Sequence, residues 1–331
     1  MDLSKCSETY YVLRGKPPFD FKLLHSIPLL QGVPKSQLTL NPLAGWSNRN
    51  WHLDFQEKSY VLRLAGVGSE QHIDRAAEAE NIRIVARVGL TKDALFHDAT
   101  TGLQLRAFVE GQVLYEQLGM LPEQRIVKIG EILRKLHDSP FPFRNTVNHF
   151  AVLKTYQALI QRQRHALSKA YESLFRLMSD IEQRLMPIPF AARPCHNDPN
   201  LANFIATSDK TLLLMDWEYS GNGDPAWDLA YVSNYGSFSS EEEALLIQAY
   251  GLKHDPSFLS RMTVYKPVSE FMFALWIRLQ IANAHFPVQR EELIEAERLS
   301  LQNAEENLSE PSFQNAFQAL NLRKMLNNYS S

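Results

Sequence analysis

The hydrophobic period of the chain changes once, near residue 110, and that change limits the folds open to it. Before it, short runs rich in β-formers alternate with turn signals. Trp51–Phe55 and Ser59–Leu64 flank the polar Gln56-Glu57-Lys58, and Leu95–Asp98 and Leu103–Val109 flank Ala99-Thr-Thr-Gly102. Both read as hairpins. One helix fits between them, from about Asp74 to Val88, with an apolar face from Ala76, Ala77, Ala79, Ile82, Val85 and Ala86 and with Gly89 where a C-terminal cap belongs. After Glu110 the period is helical: Pro122 to His137, closed by Ser139-Pro140, then a long amphipathic stretch over about Asn148–Leu185, then Ser240–Tyr250, Pro256–Ala284, Val288–Asn307 and Ser312–Met325. Residues 187–228 stand apart. They are rich in Pro, Asn, Asp and Gly and carry the strand-sized apolar run Thr211–Met215. The pattern predicts an α+β chain with two lobes, a small β-rich one over residues 1–109 and a larger, mostly helical one over residues 110–331 with a polar, strand-containing insert.

Length and composition agree with that division and remove other classes. The 331 residues suffice for two lobes without disulfides or metal staples. Lys+Arg 34 against Asp+Glu 37 gives a formal net charge of -3, so net charge gives no support to a general nucleic-acid-binding role. The two cysteines, Cys6 and Cys195, exclude a disulfide scaffold and a four-cysteine zinc site. The first ten residues are polar, and no apolar run approaches the roughly 20 residues that span a bilayer. The expectation is a soluble, cytoplasmic protein without membrane insertion.

The chemistry-bearing residues cluster in the polar insert. His196-Asn-Asp-Pro-Asn-Leu-Ala-Asn203 is followed by Leu212-Leu-Leu-Met-Asp-Trp-Glu218, so an acid and an amide are followed by a second acid at the end of a buried-looking strand. Phosphoryl transfer from a metal-bound nucleotide needs such parts: one carboxylate to orient or deprotonate the attacking hydroxyl, and a second with a neutral oxygen ligand to hold Mg²⁺. Each residue alone has a plainer reading. His196 can be a buried, hydrogen-bonded histidine, Asp198 a turn residue before Pro199, Asn203 a cap and Asp216 a strand-end turn former. Cys195 beside His196 suggests a thiol nucleophile, but neighbours on an extended chain point to opposite faces. A metallohydrolase built on His196 and Asp198 lacks a histidine-rich ligand set.

Taken together these segments resemble the catalytic and metal-binding motifs of the protein-kinase-like fold, and most closely the group of choline/ethanolamine kinases and aminoglycoside phosphotransferases. Gly223-Asp-Pro-Ala-Trp-Asp-Leu-Ala230 resembles the segment that follows the metal motif, and the likeness runs in order from roughly Leu40 to Gln280. It implies an ATP- and Mg-dependent kinase acting on a small-molecule hydroxyl. Asp198 would be the base, Asn203 and Asp216 the metal ligands, and His196 and Asp228 braces of the catalytic loop. In the first lobe Leu43-Ala-Gly-Trp-Ser-Asn48 resembles a phosphate-covering loop, with Gly45 allowing close approach and Ser47 and Asn48 offering hydrogen bonds. Arg63 stands where protein kinases have Lys, with Glu78 as its implied partner and Glu80 as the rival. Arg106-Ala-Phe-Val-Glu-Gly111 resembles the linker whose backbone meets adenine, at Phe108. Phe271-Met-Phe-Ala-Leu-Trp276 resembles an aromatic helix that encloses a quaternary ammonium; its plainer reading is core. Trp227 and Trp276 with Glu218 or Asp224 would line the acceptor pocket.

Three departures bear on this: one Gly in the phosphate loop, Arg for Lys at 63, and Trp-Glu in place of Phe-Gly after Asp216. The last, with no recognisable activation loop before Pro225, favours a small-molecule acceptor. Choline or a related amino alcohol leads, then thiamine, then aminoglycosides and sugars; a nucleotide-holding pseudokinase is the non-enzymatic alternative.

Overall fold

The hairpin expected at residues 56–58 forms as a two-residue turn. In the computed structural model Gln56 and Glu57 both adopt positive φ, 50° and 59°, the geometry that matches the twist of the flanking strands. The described residues are 20–43, 45–114, 120–163, 167–209, 211–283 and 290–328, with side chains to residue 320. Met1–Tyr10 with Cys6, Ala44 of the expected phosphate loop, and the outer ends of two expected helices at 284 and 288 lie outside them.

By packing, the chain divides into Asp2–Gln117 with Ala202–Tyr219 and Leu118–Leu201 with Ser220–Ser331. The first unit contains β1 (Thr39–Leu43), β2 (Arg49–Phe55), β3 (Lys58–Leu64), α1 (Arg75–Arg87), β4 (Ala94–His97) and β5 (Gln104–Ala107). The strands form one antiparallel sheet in the order β1-β2-β3-β5-β4. Alternation sends Trp51, Leu53 and Phe55 inward, where they meet Leu62 and Leu105. Short 3-10 turns between Phe21 and Gln37 cover this core with Leu24, Ile27 and Leu30. Asp74 caps α1 by accepting from the amides of Ala76 and Ala77, and Gly89 follows it at φ 70°.

β6 (Gly111–Val113), β8 (Phe204–Thr207) and β9 (Leu212–Leu214) form a second antiparallel sheet of the same unit. This pairing draws 202–219 into the first unit and moves the division from the expected 109/110 to 117/118. Three-residue strands carry too little alternation to be read from sequence.

The second unit is helical: α2 (Pro122–His137), α3 (His149–Arg162), α4 (Lys169–Leu185), α5 (Pro225–Tyr235), α6 (Ser240–Tyr250), α7 (Pro256–Ala282), α8 (Arg290–Ser309) and α9 (Pro311–Asn328), with the short pair β7 (Arg193–Cys195) and β10 (Gly221–Gly223). The expected 148–185 stretch is two helices. α7 is the central element and packs on α3, α5, α8 and α9. It is apolar around much of its circumference, with Val264, Val268, Phe271, Leu275 and Ile277 fully buried; each such side chain stabilises by roughly 1.5–3 kcal/mol. Ser239 and Glu242 form a reciprocal capping box on α6.

Candidate active site

In the first unit the expected Arg63–Glu78 pair forms. The Arg63 Nη1 to Glu78 Oε1 distance is 2.5 Å, with both side chains buried. Glu80, the rival, is exposed. Arg75, which sequence reasoning missed, closes a network around the pair. Its Nη1 lies 2.8 Å from Glu78 and 2.9 Å from Glu218, and its Nη2 donates to Ser69 at 2.7 Å. Its place in the first turn of α1, one turn before Glu78, was the available signal. Burial opposes the Glu78 charge, but Arg63 and then Arg75 hold its carboxyl down at about 2. The same carboxylates keep Arg63 protonated despite its burial. Burial, then the positive charge of Arg63, brings Arg106 down to about 10.

The metal-ligand candidates are set beside this network by one hairpin. Phe204 pairs with Leu214, and the Met215 amide donates to the Asn203 carbonyl at 2.8 Å, so Asn203 and Asp216 leave adjacent ends of β8 and β9. Asp216 turns off its strand at φ 63°, a region that costs a non-glycine residue of order 1–3 kcal/mol and is over-represented at functional sites. Its Oδ1 lies 3.8 Å from Arg63 Nη1. Burial, then the charge of Glu218, push its carboxyl up to about 7 against the pull of Arg63 and Arg106. An acidic oxygen and an amide oxygen, without sulfur or imidazole, are a hard donor set that fits Mg²⁺. Among the described residues, Arg63 Nη2 and Arg106 Nε are buried donors without a hydrogen-bond partner, an arrangement that suits an anionic ligand.

The expected phosphate loop is positioned by glycines. A Cβ on Gly66 would lie 1.9 Å from the Ser47 carbonyl oxygen, and one on Gly45 would lie 2.7 Å from that of Asn48. Ser47 is half-buried and sits within hydrogen-bond reach of Asn48. Asn48 itself is committed inside the protein: its amide donates to Glu218 at 2.9 Å and accepts from the Gly66 amide at 3.3 Å. It shapes the loop rather than offering an amide to phosphate. Glu218, expected at the acceptor, is 5% exposed and spent on Asn48 and Arg75. Trp217, in the position of Phe, is buried and donates to the Leu214 carbonyl. Phe108 is exposed, and its amide donates to Ser59 at 2.9 Å.

In the second unit Asp228 organises the other motif. Fully buried, it accepts from the amides of His196 at 2.7 Å and Asn197 at 2.8 Å, and from His137 at 3.0 Å. His137 is held in turn by the Tyr250 hydroxyl at 2.9 Å. Burial works against the Asp228 charge, but the His137 hydrogen bond and charge keep its carboxyl below the usual range. His196 accepts the Asp198 amide on Nδ1 at 3.3 Å. Asn197 sits between them at φ 65°. Asp198 is half-buried, and the hydroxyl of Tyr231 on α5 hydrogen-bonds it. Burial, then the Asp198 charge, push that phenol well above its usual range, so it remains a donor. Tyr231 was not foreseen, since the segment Gly223–Ala230 drew attention and α5 places Tyr231 one residue later.

Two expected acceptor residues are corrected here. Trp227 has no exposed surface: His149 stacks on its ring at 3.5 Å, and its indole donates to the Asn197 carbonyl at 3.1 Å. Asp224 caps α5 and pairs with Arg261 at 2.6 Å. Trp227 supports the loop from behind, and Asp224 ties the start of α5 to α7. Trp276 is 6% exposed and stacks on Phe273, 5.8 Å between ring centres. Cys195 is buried, and that burial pushes its thiol well above the usual range, which removes it as a nucleophile. Among the described residues, His137, Cys195 and Asp228 are the one group with metal-like spacing. Its histidine and carboxylate are consumed by the bonds given above, so it holds the fold together.

Residues 39–260 match the model of the phosphotransferase enzyme family. The chain belongs to that family. It is a small-molecule kinase. Protein LicA of Haemophilus influenzae is 25% identical over 274 residues, 79% of this chain and 76% of LicA. A choline/ethanolamine kinase family protein from Mesorhizobium loti is 27% identical and superposes with a TM-score of 0.73, covering 91% of this chain and 97% of its own. The choline kinase LicA from Streptococcus pneumoniae shares the fold at 22% identity, with a TM-score of 0.70 over 86% of this chain and 97% of its own. A LicA structure in complex with AMP is equally distant, 22% identical, at 0.72 over 86% and 98%. These likenesses bear out the two-lobed α+β expectation. Among the described residues no helix is long and apolar enough to cross a membrane.

Substitution at Arg63 separates charge from geometry. Arg63→Ala is expected to lower kcat/KM for ATP by on the order of tenfold to a hundredfold, the worth of one or two charge-assisted hydrogen bonds. Arg63→Lys is expected to restore it in part, because an ammonium does not reproduce the guanidinium fork. Initial rates at varied ATP check this; a fully active Ala variant would reduce Arg63 to a structural partner of Glu78.

Proposed function

We propose that the protein transfers a phosphoryl group from Mg²⁺-bound ATP to the hydroxyl of a small cationic alcohol, choline or a related amino alcohol. The observation that carries this reading is the likeness, over nearly the whole chain, to a choline/ethanolamine kinase family protein. The motif geometry supports it. Asn203 and Asp216 offer hard oxygen donors at the ends of one hairpin, and Arg63 and Arg106 leave unused donors beside Asp216. Bound there, Mg²⁺ would neutralise charge on the phosphates and orient them. Arg63, fixed by Glu78, orients the phosphate chain. Asp198 accepts the proton of the acceptor hydroxyl, and Tyr231 and the Asp228-braced loop fix its direction. His196 holds the loop and takes no proton from substrate.

Removing the metal ligands has a specific signature. At saturating ATP, Asp216→Ala and Asn203→Ala are both expected to require more Mg²⁺ for half-maximal rate, Asp216→Ala the more severely because it also loses a charge. Unchanged Mg²⁺ dependence in both variants would put the metal elsewhere.

A coupled ADP-release screen over choline, ethanolamine, thiamine, aminoglycosides and simple sugars tests the reading. Turnover with amino alcohols is expected. Turnover with neutral sugars alone would remove the cationic acceptor, and nucleotide binding without turnover of any of them would favour the pseudokinase.

A further inference from the structure

Each polar group of Asn197, the residue before the proposed base, has a partner. Its backbone amide donates to Asp228, and its carbonyl accepts from the Trp227 indole at 3.1 Å. Its side-chain amide donates to the carbonyls of Cys195 and Gly221, each at 3.4 Å, on the paired strands β7 and β10. Its Oδ1 meets His149 Nε2 at 3.1 Å. His149 opens α3 and lies 48 positions away in the chain. Asn197 is 3% exposed, so water does not replace a partner lost there.

These contacts fix where the hydrogens are. Carbonyl oxygens only accept, so the Asn197 side-chain nitrogen faces Cys195 and Gly221 and its oxygen faces His149. His149 must then donate, which places its hydrogen on Nε2. Burial brings its imidazole down to about 3, against the pull of the Asp228 charge and the Asn197 hydrogen bond, so the ring is neutral at ordinary pH. It lies flat on Trp227, 3.5 Å between ring centres and 10° between planes, and meets Tyr265 edge-on at 6.3 Å. His149 and Trp227 thus form one stack that holds Asn197 twice, by its side chain and by its carbonyl.

The φ of 65° at Asn197 suits Asn better than most residues and Gly better still. The backbone conformation alone would be served by Gly; the Asn side chain adds the tie to α3. We infer that His149 is a positioning residue for the proposed base: as an Nε2–H donor it fixes the Asn197 side chain, and through Asn197 the backbone that aims Asp198 at the acceptor hydroxyl. In taking Asp198 as the base this inference rests on the proposed function.

Steady-state kinetics of His149→Phe, His149→Gln and Asn197→Gly, measured well below the melting temperature of each, test it. His149→Phe keeps an aromatic face against Trp227 and removes the donor. It is expected to lower kcat about tenfold to a hundredfold, the cost of slightly misplacing a reacting group, with the KM for ATP unchanged. His149→Gln offers an N–H again and is expected to recover part of the rate. Asn197→Gly accepts the left-handed φ but gives His149 nothing to hold, so it is expected to lose kcat likewise, and adding His149→Phe to it is expected to cost nothing more. In an Asp198→Asn background His149→Phe is also expected to have little further effect, whereas a merely structural role lowers the rate by the same factor in both backgrounds. Unaltered kcat in His149→Phe or, should that variant fail to fold, in Asn197→Gly would overturn the inference, as would equal losses with and without Asp198→Asn. If those losses are equal while Asp198→Asn alone abolishes turnover, the proposed function stands without the inference. If no acceptor in the screen above is phosphorylated, the proposed function fails and takes the inference with it.

Discussion

Replacing Asp198 by Asn is expected to lower kcat by about 10²–10⁴-fold, the usual worth of positioned proton transfer, while ATP affinity stays near that of the unaltered protein. The amide keeps the size of the carboxylate and can still meet the Tyr231 hydroxyl, but it does not take a proton from the acceptor. The backbone around it is held independently of the side chain: the Asp198 amide donates to His196, and Asp228 holds the amides of His196 and Asn197. Loop geometry therefore survives, and a lost rate reports chemistry. Single-turnover rates with nucleotide titrations separate the two. Near-unaltered turnover would remove Asp198 from the role of base.

Asp228→Ala is expected to act through structure, and strongly. It removes the acceptor of two loop amides and of His137 in a fully buried place. Breaking such a charge network costs about 3–5 kcal/mol, which in a unit of this size lowers Tm by roughly 6–20 °C. The pH dependence follows from the depressed Asp228 carboxyl. The folded group binds its proton less readily than the unfolded one. Its stabilisation is thus complete above the ordinary Asp value of about 3.9 and is lost as pH falls through the lower folded value. As pH falls from the ordinary value toward the folded one, the gap in Tm between the two proteins is expected to narrow. Thermal melts from pH 7 to pH 3 measure it; a gap that does not change with pH would mean that the Asp228 charge is not what holds the loop.

Much of this was legible in the sequence because the relevant signals are local. The 56–58 turn, the helix from about Asp74 to Val88, the helix from Pro122 to His137 and the helix over Ser240–Tyr250 each depend on residues within a few positions of one another. The spacing of Asp198, Asn203 and Asp216 was equally local, because one loop and one hairpin carry all three. Residues joined across long separations were not legible. Arg75 meets Glu218 across 143 positions, and His137 meets Asp228 across 91; neither pairing leaves a periodic trace. Trp227 and Asp224 were misread for a related reason. Motif position placed them near the catalytic loop, but the packing of α5 commits Trp227 to the Asn197 carbonyl and Asp224 to Arg261.

Phosphorus NMR of the protein with Mg²⁺, ATP and an amino alcohol tests the central claim most directly. The account predicts a new phosphomonoester resonance that grows in step with ADP, is absent without the acceptor and is nearly abolished in Asp198→Asn. ATP consumption yielding inorganic phosphate alone, or no phosphomonoester with choline, ethanolamine or its N-methylated forms, would contradict it.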